Sequence, residues 1–133
     1  MAARRIATGF SAASLLAALA CGGNSSGGPS PSPTCTASPN TTTITISNNA
    51  VCPQNIIVSL GAQVTFVNSD TRQHEMDSDP HTEHTDCPPI NQVGFLAPGQ
   101  SKQTGNLVIA RRCGFHDHQN FENAALRGSI TIQ

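Results

Sequence analysis

Val64-Thr65-Phe66-Val67-Asn68 alternates apolar and polar side chains with a period of two, the pattern of a half-buried β-strand. Working upstream, Asn55-Ile56-Ile57-Val58-Ser59-Leu60 reads as a strand that turns at Gly61-Ala62-Gln63, and Thr41-Thr42-Thr43-Ile44-Thr45-Ile46-Ser47 as another, closed by the turn residues Asn48-Asn49. Downstream, residues 69–92 carry no periodic pattern and read as a long polar loop. Gln92-Val93-Gly94-Phe95-Leu96 is expected as a short strand before the Pro98-Gly99 turn, Gly105 to Ala110 as another, and Gly128-Ser129-Ile130-Thr131-Ile132 as the last. Asn120 to Leu126 is expected to make only a short helical turn. Many short strands without an amphipathic helix predict an all-β fold, a Greek-key β-sandwich. A loop as long as 69–92 in so small a domain is a place to look for function.

The first 20 residues have the layout of a secretory signal peptide: Arg4 and Arg5, then a mostly apolar run from Ile6 to Ala20. Cys21 directly after Leu19-Ala20 resembles the lipobox of bacterial lipoproteins, whose cysteine is lipidated after cleavage, although Ala18 stands where Leu is usual. The resemblance implies an exported lipoprotein, anchored to a membrane through Cys21 at the bacterial periplasm or cell surface. The apolar run is too short for a membrane span. Residues 21–39 are rich in Gly, Ser and Pro and read as a tether, which leaves 40–133 as the single folded domain. Without Arg4 and Arg5, the basic residues Arg72, Lys102, Arg111, Arg112 and Arg127 face 8 acidic ones, so the mature chain is mildly acidic and nucleic acid is excluded as a partner.

Cys113-Gly114-Phe115-His116-Asp117-His118 places a thiol and two imidazoles in one short stretch, and His74 follows the Val64–Asn68 strand. Thiolate and imidazole gathered from separate segments of a β-domain suit copper or zinc. Apart from Cys21, the chain contains Cys35, Cys52, Cys87 and Cys113, which allow three complete pairings in an oxidising compartment. If Cys113 ligates a metal, one of the other thiols is left over. No Gly-x-Ser-x-Gly, His-Glu-x-x-His or phosphate-cradling Gly-Lys loop is present, and no enzymatic activity is expected.

These motifs resemble the cupredoxins, the small blue copper proteins. The matching residues are Val64 to Asp70 leading to His74, Ala97-Pro98-Gly99-Gln100-Ser101, the Cys113-x-x-His116 pair and the closing Gly128–Ile132 strand. The resemblance implies a Greek-key sandwich with one type 1-like copper site, whose ligands fall on His74, Cys113 and either His116 or His118. The last two rings are expected to point differently, with His116 as the ligand. The family's axial Met has no counterpart after Met76; Gln119, Phe121 and Glu122 stand at approximately the right spacing, Leu126 aligns when read back from Arg127-Gly128, and Met76 is a further candidate. An oxygen donor there favours Cu(II) and lowers the potential, whereas Leu raises it. His81-x-x-His84, among the acidic residues of loop 74–86, is a candidate second copper or zinc site. In the family the turn holding Cys52 lies at the metal end, so a Cys52–Cys87 disulfide is expected to brace the loop. The competing pairing, Cys35–Cys52 with Cys87–Cys113, would consume the thiolate and leave a histidine-only site.

The function this implies is one-electron transfer by a monomeric carrier that docks weakly with periplasmic or cell-surface redox proteins, through an exposed ring of His116 or His118 and with Arg111-Arg112 orienting the partner. Two other readings stand beside it: copper capture, buffering or delivery through loop 74–86, and a metal-free, disulfide-stabilised interaction module.

Overall fold

The structure, a computed structural model, describes residues 35–133. The expected signal peptide, Cys21 and nearly all of the tether lie outside the described residues; among those described, no helix is long and apolar enough to cross a membrane. The described strands are β1 (Thr43–Ser47), β2 (Ala50–Cys52), β3 (Asn55–Val58), β4 (Thr65–Asn68), β5 (His74–Ser78), β6 (Gly94–Leu96), β7 (Ser101–Gln103), β8 (Arg111–Asp117) and β9 (Arg127–Ile132). They form a sheet in the order β2-β1-β4-β7 and a second in the order β3-β9-β8-β5-β6. β1 runs parallel to β4 and β3 parallel to β9; the other pairs are antiparallel. The all-β sandwich expected from the sequence is therefore the observed class.

Alternation does most of the work in the first half of the chain. Ile44 and Ile46 of β1, Ile56 and Val58 of β3, and Phe66 of β4 point inward while their neighbours face outward. Phe66 of the first sheet meets Phe115 of the second edge to face, with ring centroids 5.2 Å apart and planes at 87°, a geometry favoured by the ring quadrupoles. Asn48 and Asn49 both adopt positive φ, 50° and 60°, which makes the two-residue turn that joins Ser47 of β1 to its partner Ala50 of β2.

Two expected elements differ. Segment 69–92 is not structureless: His74–Ser78 is β5, and Pro88–Gln92 is a 3-10 turn. His-Glu-Met-Asp-Ser has no β-branched residue to announce a strand, and becomes one because β6 and β8 pair with it from either side. Gly105–Ala110, by contrast, forms no strand. Its Leu107 is buried and exchanges backbone bonds with Gly61 and Ala62, while Val108 and Ile109 stay 62% and 65% exposed. The helical turn expected over 120–126 is present as two short 3-10 turns, His118–Asn120 and Ala124–Leu126.

The disulfides also differ. Cys35 pairs with Cys52 and Cys87 with Cys113, at Cα separations of 5.5 and 5.7 Å, in place of the expected Cys52–Cys87 bridge. Positions 113, 115 and 117 share one face of β8, so Cys113 points with Phe115 into the core. Cys87, buried at the end of the loop, meets it there.

The turn after β4 is organised by side chains acting on the backbone. Asn68 Nδ2 donates to the carbonyls of Arg72 and Leu96, and Asn68 Oδ1 accepts from the Asp70 amide. The Asp70 carboxylate accepts from the amides of Asn49, at 2.8 Å, and Thr71, and lies 3.4 Å from His74 Nε2. The Asn49 amide, above all, holds the Asp70 carboxyl below the usual carboxylate range, with Thr71 and His74 acting in the same direction against partial desolvation.

Two outcomes are expected. Because the folded pKa of Asp70 is depressed, its stabilisation is present above the unfolded value and is lost as pH falls below about 4. Denaturant titrations should therefore show wild type losing stability more steeply than Asp70→Asn as the pH is lowered through that range; parallel profiles would remove the assignment. Replacing Cys87 and Cys113 together by Ala should lower the unfolding free energy by about 3 kcal/mol, the chain-entropy value for a loop of this length. Peptide mapping without reduction should recover Cys87 joined to Cys113.

Candidate metal centre

β5 and β8 are the strands whose alternation fails. His74, Met76, Asp77 and Ser78 are buried on β5, and Cys113, Phe115, His116 and Asp117 on β8. Both faces of these strand ends are covered, one by the core and the other by the segment 79–87. That segment is bonded down at several points. The Asp79 amide donates to the Gly114 carbonyl, the Asp86 amide to the Asp79 carbonyl, and the Gly114 amide to Asp86 Oδ2 at 3.1 Å. Asp86 also pairs with Arg111, and Cys87 is covalently joined to Cys113. Asn91 Nδ2 donates to the His84 carbonyl while its Oδ1 accepts from the Ser78 amide. Within this frame Thr82 and His84 take φ of 81° and 51°. Such a backbone costs about 1–3 kcal/mol per residue and persists only where the surroundings impose it.

The result is a cluster of four imidazoles. His81 and His84 come from the covering segment, His116 from the end of β8, and His118 from the 3-10 turn that follows; one ring nitrogen from each lies within 4.8 Å of the others. His81 Nδ1 and His116 Nε2 are 3.4 Å apart, and His118 Nδ1 and His84 Nε2 are 3.1 Å apart. Nitrogens bound to one ion at about 2.0–2.1 Å stand roughly 3–4 Å from one another, so the spacing suits a single small cation. His116 is fully buried; the other three reach the surface in part. Phe121 covers His81, with rings 3.8 Å apart and 9° from parallel. Loss of solvent, then the neighbouring rings of His118, His116 and His84, lower the His81 pKa and favour the neutral, ligating form.

Several expected site residues fall elsewhere. His74 is not in the cluster: it is buried, with Nδ1 2.7 Å from Asp117 Oδ2 and Nε2 facing Asp70. Asp117 in turn accepts from the amides of Glu75 and Gln119 and from Asn120 Nδ2, so His74 helps hold the turn that carries His118. Cys113 is not available as a thiolate, and an odd spacing in an extended strand puts it on the face opposite His116. His116 and His118, two apart, share a face and both join the cluster, against the expectation that the rings would diverge. His81 and His84 belong to that same cluster; among the described residues no separate second site forms. Of the axial candidates, Met76 and Leu126 are buried in the core, Gln119 and Glu122 are exposed, and Phe121 serves as a cover.

The chemistry of this donor set is specific. A thiolate copper site does not fit, because the two cysteines nearest these ligands in sequence, Cys87 and Cys113, are locked together in a disulfide. A histidine-only site fits, since neutral imidazole binds Cu(II) and Zn(II) well. Behind the ligands stand two carboxylates of the acidic run expected to support a metal at His81 and His84, Asp79 Oδ1 at 2.7 Å from His116 Nδ1 and Asp77 Oδ2 at 4.0 Å from His84 Nδ1. The sequence signal for them is a run of acids between histidines, which by composition alone is indistinguishable from a hydrated loop.

No protein-family model and no curated protein sequence matches the chain. Solved structures do. A purple cupredoxin from Nitrosopumilus maritimus aligns over 68% of this chain and 98% of its own, with 15% identity and a TM-score of 0.53. Plastocyanin from Dryopteris crassirhizoma aligns over 68% and 99%, with 17% identity and a TM-score of 0.54. Amicyanin from Paracoccus versutus aligns over 68% and 79%, with 12% identity and a TM-score of 0.54. At these identities the likeness is one of architecture: the two mixed sheets of this chain form a β-sandwich of the cupredoxin fold.

Proposed function

We propose that this domain binds one copper ion through His81, His84, His116 and His118, and that it captures, holds or delivers copper in the bacterial cell envelope. The observation that carries this reading is the convergence of four imidazoles from two segments in a sandwich of the cupredoxin fold. Bound there, copper would supply a Lewis-acidic centre able to take up or release one electron. The chain's own part is to hold four ring nitrogens close together. His116 sits at the dry base, His84 is fixed through its carbonyl by Asn91, His118 is placed by the Asp117 cap, and His81 is held under Phe121. With no sulfur donor, the ligands favour Cu(II) more than a thiolate site would.

Export supports the same reading. All four cysteines among the described residues are paired, as expected of an oxidising compartment. The signal-like residues 1–20 would then direct export, and a lipid anchor on Cys21 would keep the domain at the periplasmic or outer face of a membrane.

Electron transfer is the second reading, and the fold shared with plastocyanin and amicyanin favours it. Imidazoles serve both oxidation states of copper, and the partly exposed His118 would be the natural exit toward a redox partner docked by charge.

Titration of the full chain with Cu(II) should give one tight equivalent, with nitrogen hyperfine structure in its electron paramagnetic resonance spectrum and no intense thiolate-to-copper absorption. His81→Ala with His84→Ala should weaken binding by more than the roughly 10–100-fold typical of losing an outer partner. Tight binding that survives the double change would overturn the site. The two readings separate on reduction: a carrier keeps its ion through repeated cycles and exchanges electrons with small redox proteins, whereas a handling protein loses affinity for copper on reduction and yields the ion to a Cu(I) chelator.

A further inference from the structure

We propose that Asp79 is a positioning residue for this metal site, and that Gly114 lacks a side chain in order to admit it. The proposal rests on the four-imidazole reading above. His116 is the most enclosed of the four, and Asp79 Oδ1 lies 2.7 Å from its Nδ1. A carboxylate only accepts, so Nδ1 carries the proton and Nε2 is left as the lone-pair nitrogen, directed at His81. The ring is thus held in the single tautomer that can ligate from inside the cluster.

Asp79 reaches this position by lying across β8. The Asp79 side chain is 47% exposed on one side, and on the other it rests on the strand where a side chain of residue 114 would be. A Cβ built on Gly114 lands within the carboxylate, 2.8 Å from its carboxyl carbon and closer still to one oxygen. Real Cβ atoms do not approach so closely, so any residue but Gly at 114 makes the Asp79 side chain shift from the place where it meets His116. Gly114 and His116 share the outer face of β8, where a positive φ is not what glycine is needed for; the close approach is. Asp77, the register partner of His116, has its carboxylate 4.0 Å from Nδ1 of a different ring, His84.

The test uses the full chain without metal first. Long-range nitrogen–proton NMR, at a pH where the rings are neutral, should show His116 as the Nδ1–H tautomer in wild type and in Asp79→Asn, which keeps an acceptor oxygen. The Nε2–H form should gain in Asp79→Ala. Cu(II) affinity should fall about 10–100-fold in Asp79→Ala and less in Asp79→Asn. Gly114→Ala should reproduce the Asp79→Ala tautomer with Asp79 still present, and the double variant should be no weaker than either single one. Should Gly114→Ala fail to fold, the two Asp79 variants decide alone, because that side chain is half exposed. An unchanged tautomer and affinity in Asp79→Ala, or additive losses in the double variant, would overturn the proposal. Failure of wild type to bind Cu(II) would instead remove the metal reading, and the tautomer comparison would still report on Asp79.

Discussion

The seating of segment 79–87 on β8 is the constraint from which the site follows. Two imidazoles of the cluster ride on that segment and a third is at the end of the strand beneath it, so their meeting depends on the segment staying down. Backbone bonds at Asp79 and Asp86, the Asp86–Arg111 pair and the Cys87–Cys113 bridge all act on this one interface. An exposed ion pair alone would contribute little. A covalent closure at the far end raises the effective concentration of the near contacts, and with them the segment can tolerate left-handed backbone at Thr82 and His84.

β8 divides its labour by face. Cys113, Phe115 and Asp117 point inward, to the disulfide, the sheet-to-sheet aromatic contact and the buried His74 respectively. Gly114 and His116 point outward beneath the covering segment, and His118 continues that face into the turn. A one-residue slip would exchange the two sets, turning the aromatic ring outward and pointing His116 away from the covering segment and its imidazoles. The Asp117 network guards the register from the inside. Its carboxylate accepts from His74 and from the amides of Glu75 and Gln119, so moving it would leave the buried His74 ring without that partner, at a cost of about 1–3 kcal/mol, and would release two part-buried amides.

How much of this could be read from the sequence varies with the cause. The strands β1, β3, β4 and β9 announce themselves because local alternation and β-branched residues suffice to make them. β5 does not, because its pairing comes wholly from neighbours distant in sequence. The histidines were legible as ligand candidates, but their grouping was not. Motif resemblance assigned His74 and Cys113 to the metal, whereas the side-chain period along β8 already places Cys113 opposite His116, and His116 alongside His118. The disulfide pairing was open in the sequence, where the observed framework stood only as the competing one; four cysteines are compatible with three frameworks, and the path of segment 79–87 selects among them.

That pairing bears on why a histidine-only site is chemically consistent here. A lone thiol in an oxidising compartment is exposed to disulfide exchange and to stepwise oxidation whenever its metal is absent. A carrier that keeps its ion can protect such a ligand; a protein that must fill and empty cannot. Imidazole has no comparable oxidative liability, and its neutral, ligating form is favoured where the charged form is disfavoured by burial and by neighbouring rings, as at His81. Placing the sulfur of Cys113 in a structural bond on the inner face, and nitrogen donors alone on the outer one, therefore keeps the empty site chemically stable. This property matters most for the proposed capture and delivery of copper, which require the site to stand empty between ions.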